Sequence, residues 1–125
     1  MTIEIVNTDN APAAIGAYAQ GIVSGDLLFI SGQLPLDPST GTITGDAGEQ
    51  TTQSLKNLFA IADAAGFGLG DVVKVTVFTT AMEDFGAINS AYAEAFGEHK
   101  PARAVVGVKE LPKNAKVEIE LIAHR

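Results

Sequence analysis

The chain has 125 residues, 46% of them hydrophobic, and a formal net charge of −7. That length makes one domain with a substantial core, and the acidic balance opposes nucleic-acid binding, which needs a cationic face to displace counterions. Cysteine is absent, which excludes disulfides, iron–sulfur clusters, thiolate zinc sites and a cysteine nucleophile.

Residues 1–125 show no linker, charge block, repeat or low-complexity stretch. Residues 2–6 are a predicted short strand. Residues 20–23 and 27–31 read as two strands around Ser24-Gly25-Asp26, a hairpin turn in which glycine supplies positive φ. The polar segment 37–48 is the longest expected loop. Asp46 and Glu49 stand at capping-box spacing and open a helix. Leu55, Leu58, Phe59, Ala62 and Ala65 then form one apolar stripe, with Gly66 as the C-terminal stop. Residues 72–79 are strongly β-forming, with Val73, Val75 and Val77 expected on one face. Thr80 and Glu83 predict a second capping box. Phe85, Ile88, Tyr92 and Phe96 follow at helical spacing, and Asn89 borders that stripe, where a polar side chain must find partners. Residues 102–109 and 117–123 are the last two predicted strands.

The order βββ, α, β, α, ββ predicts an α+β domain: a six-stranded mixed sheet with two helices on one face. The other face is then wet or meets another subunit, and the aliphatic strands favour the subunit contact. No apolar run approaches the length of a membrane span, and residues 1–6 lack the basic and apolar regions of a signal peptide. A soluble cytoplasmic protein is expected.

Arg103 lies in the apolar run Ala102-Arg-Ala-Val-Val-Gly-Val108. A guanidinium cannot shed its charge, so it needs an anion if partly buried. Two readings stand side by side: a structural ion pair with Glu118 or Glu120, and a bidentate clamp on a substrate carboxylate. Glu118 and Glu120 alternate with Val117, Ile119 and Leu121, so both point to one strand face. Parallel carboxylates do not flank a sugar as a glycosidase requires, but one glutamate can activate a water. Tyr18 reads first as a packed aromatic with a wet hydroxyl. Ser31 lacks a G-x-S-x-G elbow and a neighbouring histidine, which argues against a serine hydrolase, while Gly32 admits close approach to backbone. His99 and His124 have no metal-ligand spacing, and no phosphate-binding glycine loop is present. No metal and no cofactor are expected.

Several ordered motifs carry a resemblance over residues 10–125: Ala14-Ile-Gly-Ala-Tyr-Ala-Gln20, Ser31-Gly-Gln-Leu-Pro-Leu-Asp-Pro38, Pro101-Ala-Arg103, and Leu111-Pro112 followed by Val117-Glu-Ile-Glu120. The chain resembles the RidA (YjgF) reactive-intermediate deaminases. The resemblance implies a chorismate-mutase-like fold and a homotrimer with clefts between subunits. It implies hydrolysis of 2-imino acids such as 2-iminobutanoate and 2-iminopropanoate, or their enamine tautomers, to 2-oxo acids and ammonia. Such intermediates are released by pyridoxal-phosphate dehydratases.

By motif position, the resemblance assigns the carboxylate to Arg103 and the attacking water to Glu118. Tyr18 and Asn89 would line the cleft, Ser31 and Gly32 its floor, and backbone groups near Val105 would orient the imine. Val105 stands where these deaminases often carry cysteine, and Ala104 where serine is frequent. The segment at Lys100 is short and bears on substrate range. The rivals are a non-catalytic trimer binding small carboxylates, and a related deaminase acting on aminomuconate-type or aromatic substrates. Cleavage of RNA, attributed to some relatives, is disfavoured by the charge.

Overall fold

A computed structural model describes residues 3–125. Strands β1 (Ile3–Val6), β2 (Gly21–Ser24) and β3 (Leu27–Gln33) come first. Helix α1 (Ala47–Ala64), β4 (Val72–Thr79), α2 (Phe85–Phe96), β5 (Ala102–Gly107) and β6 (Val117–His124) follow. Thr2, expected to begin the first strand, lies outside the described residues. The six strands form one sheet in the order β1-β2-β3-β6-β4-β5. All neighbours are antiparallel except β4 and β5, because α2 makes the crossover that a parallel pair requires. This is the expected α+β architecture, with both helices against one face of a mixed sheet.

Local chemistry accounts for most boundaries. The β2–β3 hairpin closes on Gly25 and Asp26, with Gly25 at φ +61°, a conformation costly for any residue bearing a Cβ. The capping box of α1 forms as expected: Glu49 N donates to Asp46 Oδ1 at 2.9 Å, and Asp46 N donates to Glu49 Oε1 at 3.1 Å. Leu55, Leu58, Ile61 and Ala62 of α1 pack onto Leu28, Ile30, Val75, Val77, Ile119 and Leu121 of the sheet. Ile88, Tyr92 and Phe96 of α2 complete the core. No helix among the described residues is long and apolar enough to cross a membrane.

Two expectations need correction. The second capping box does not form. Thr80 is held at the foot of the sheet, its Oγ1 donating to Ala115 O and its N to Lys116 O, both at 3.1 Å. A 3₁₀ turn, Met82–Asp84, therefore precedes α2, and no side chain caps it. Val73 does not share a face with Val75 and Val77. The β4–β6 register shifts between Val72 and Lys74, and that extra residue turns Val73 outward, 45% exposed, while Val72 takes its place in the core.

The register also fixes what the uncovered face presents. Ile5, Ile22, Phe29 and Ile122 align across β1, β2, β3 and β6, and Glu118, Phe78 and Val106 align across β6, β4 and β5. Ile5, Phe29 and Val106 of this face are exposed.

Candidate functional site

Glu118 sits on β6 between two fully buried residues, Val117 and Ile119. Strand alternation therefore sends it, with Glu120, to the uncovered face. There it meets β3, whose pairing with β6 is irregular between Ile30 and Gln33. At this irregularity Gly32 comes against the carboxylate, and Ser31 lines the same cavity. A Cβ on Gly32 would lie 3.0 Å from Glu118 Cδ and 3.1 Å from Oε2, so the carboxyl can rest on this backbone only because residue 32 has no side chain.

The walls around Glu118 are tied down by buried amides and hydroxyls. Ser31 Oγ donates to Ala19 O at 2.6 Å, and Ser31 N donates to Gln20 O at 2.9 Å. This serine is a strut; its proton is committed to a carbonyl. The buried Gln20 side chain donates to Thr8 O and Pro12 O and accepts from Thr8 N, at 3.0, 2.8 and 2.8 Å. That bracing of residues 8–20 leaves Tyr18 51% exposed at the mouth. On the other side, Asn57 of α1 donates to Leu34 O and Leu36 O, at 3.1 and 2.9 Å. The result is an open cavity of about 590 Å³ lined by Ile15, Tyr18, Ser31, Gly32, Leu34 and Glu118, among others. Burial, and secondarily the neighbouring Glu120 charge, hold the Glu118 carboxyl above its ordinary pKa.

Arg103 stands elsewhere. It pairs with Val75, and Val105 pairs with Val77, so both side chains share the helix-covered face. Nη1 of Arg103 donates to Asn89 Oδ1 of α2 at 2.8 Å. Its Cζ lies 4.7 Å from the centroid of the Tyr92 ring. The anticipated partner of Asn89 is thus the arginine. The alternative of an ion pair with Glu118 or Glu120 fails, because those residues occupy the opposite face of the sheet. Arg103, Asn89, Tyr92, Phe96, His99 and Lys100 line a second cavity of about 360 Å³. Val105 is partly buried against the core, on a strand that ends the sheet with one backbone edge unpaired by any other strand among the described residues.

One chain therefore presents two separate clusters. Tyr18, Ser31, Gly32 and Glu118 come together around one cavity; Asn89 and Arg103 meet at another, with Val105 beside them on the strand. Among the described residues, no group of three or more His, Asp or Glu side chains is arranged to hold a metal ion. His99 Nε2 lies 2.7 Å from Val72 O, a structural engagement. Sequence reasoning missed Gln20 and Asn57 as braces, and Tyr92 as the seat of Arg103. The one sequence signal for Tyr92 was its position three residues after Asn89, on the same helix face.

The family model described as endoribonuclease L-PSP matches residues 8–125. A protein of Salmonella typhimurium named 2-iminobutanoate/2-iminopropanoate deaminase is 49% identical over 123 residues, 96% of each chain. The crystal structure of Escherichia coli TdcF with bound serine superposes with a TM-score of 0.94 at 47% identity, covering 98% of both chains. RidA from an Antarctic Psychrobacter gives a TM-score of 0.94 at 42% identity, covering 98% of this chain and 99% of that one. Motifs, sheet topology and these likenesses agree: the chain belongs to the endoribonuclease L-PSP family, among the RidA/YjgF proteins.

Proposed function

We propose that this protein is an imine deaminase, hydrolysing small 2-imino acids, or their enamine tautomers, to 2-oxo acids and ammonia. The kinship with the Salmonella deaminase supports the reaction. The observation that carries the chemistry is Glu118, a half-buried carboxyl pressed against Gly32 with its proton affinity raised. A protonated imine is already electrophilic, so water addition requires only placement and proton transfer. Glu118 removes a proton as the water oxygen bonds to the imine carbon, giving a carbinolamine. It returns that proton to nitrogen. It then takes the hydroxyl proton as the C–N bond breaks, and passes it to the departing ammonia, so that ammonium and the 2-oxo acid leave and the carboxylate is restored. A carboxylate with raised pKa suits both directions of transfer. Arg103 holds the substrate carboxylate through donors left free by Asn89.

In one protomer the sheet separates Arg103 from Glu118, so a site using both is built from two copies. The Arg103 half of one subunit faces the Glu118 half of the next, with Tyr18, Ser31 and Gly32 on the Glu118 side and Asn89 and the Val105 backbone on the other. A homotrimer, burying the apolar face around Ile5, Phe29 and Val106, supplies three such clefts. Serine bound to the related TdcF is a ligand of the expected kind, small and carboxylate-bearing. The substrates are those shed by pyridoxal-phosphate dehydratases, and the setting is cytoplasmic.

The test is subunit mixing. Arg103→Ala and Glu118→Ala should each lower ammonia release from freshly generated 2-iminopropanoate by about 10²-fold or more. Co-refolded in equal amounts, the two inactive variants should regain about a quarter of wild-type activity, because random cyclic trimers pair an intact arginine with an intact glutamate at that frequency. Wild-type rates in both single variants would refute the roles of Arg103 and Glu118, and no acceleration of ammonia release by the wild-type protein would refute the deaminase reading. Inactive singles with no recovery on mixing would refute the shared site. Glu118→Ala should still bind 2-oxobutanoate, which separates catalysis from simple carboxylate binding.

A further inference from the structure

We propose that Tyr92 is a positioning residue for Arg103, its ring serving as the fixed platform that aims the guanidinium fork at a ligand carboxylate. The inference rests on the reading that Arg103 binds that carboxylate. Its ground is geometric. Arg103 Cζ lies 4.7 Å from the Tyr92 centroid and 5.9 Å from that of Phe85, so Tyr92 is the nearer of two rings. Stacking occupies the face of a guanidinium and consumes none of its five N–H donors. Asn89 takes one donor, at 2.8 Å. The others remain for a planar, bidentate partner.

The platform is rigid because of what backs it. Tyr92 is 7% exposed and packs on Phe96 with centroids 4.7 Å apart. Phe96 is itself held edge-on by Phe59 at 5.3 Å. The arginine is exposed and the ring is not, so the ring sets the orientation and the arginine conforms. Asn89 and Tyr92 stand at i and i+3 on α2, which gives the guanidinium one polar and one aromatic restraint from a single rigid element. The Tyr92 hydroxyl is buried without a hydrogen-bond partner among the described residues. Burial pushes its pKa upward, so the ring stays neutral, and no phenolate competes with the ligand for the arginine's charge.

The experiment measures the Kd of 2-oxobutanoate by calorimetry, with KM and kcat for 2-iminobutanoate. Tyr92→Leu should raise Kd and KM about five- to tenfold while kcat stays within about twofold, the pattern of lost uniform binding. Tyr92→Phe keeps the ring and should stay within about twofold on every parameter. On an Arg103→Ala background, where binding is already weak, Tyr92→Leu should cost nothing more; a merely structural role would cost the same on both backgrounds. Should the leucine variant not fold, replacing Tyr92 with pentafluorophenylalanine keeps the volume and reverses the ring's electrostatic face, and should weaken binding likewise. Wild-type Kd in these variants, with Arg103→Ala impaired, overturns the role of Tyr92 alone. Wild-type Kd in Arg103→Ala overturns both this role and the carboxylate reading.

Discussion

Glu118 shows how one side chain ties environment to chemistry. Its carboxyl is held above the ordinary glutamate value of 4.5, first by burial and then by Glu120. The folded state therefore binds more protons than the unfolded chain from that value up to the raised one. Stability falls as pH rises through this window, and the loss persists above it. Glu118→Gln removes the buried charge, so at pH 7 its Tm should equal or exceed wild type, by about two degrees at most, while kcat falls about 10²-fold. As Glu118 takes its proton, kcat/KM should fall on the acid side. Glu120→Gln removes the like charge and should move that fall to lower pH, as a pH–rate profile would show. The alternation of Glu118 with buried valine and isoleucine was legible in the sequence. The raised proton affinity was not, because it depends on β3 lying alongside.

Among the elements, α1 illustrates what short-range spacing can and cannot reveal. Its start was readable from Asp46 and Glu49, which need only a helical turn to find each other. Asp46→Ala should lower stability by about 1 kcal/mol, measurable as a shift in urea midpoint with unchanged slope and little change in turnover. The second helix misled for an equally local reason. Thr80 and Glu83 have capping-box spacing, yet the Thr80 hydroxyl donates to Ala115, 35 residues away in sequence. Val73 likewise broke its alternation at a bulge that exists only because β6 pairs with β4. Local rules held where the competing partner was local, and failed where the sheet offered a better one.

For the molecule as a whole, net charge and assembly decide what it can meet. A net charge of −7 opposes the binding of a polyanion. Despite the name of the family model, single-stranded RNA should not be retained at about 150 mM salt in a filter-binding assay. The order of elements, the half-covered sheet and the hairpin turn all followed from the sequence alone. These depend on periodicity, turn chemistry and ordered motifs, which act over a few residues. Only the tertiary structure decided that Arg103 and Glu118 face opposite ways. Strand order governs that: β4 lies between β5 and β6, and the register beside Val75 and Phe78 sets which side each residue takes. Such pairings join residues far apart in the chain, and no local pattern encodes them.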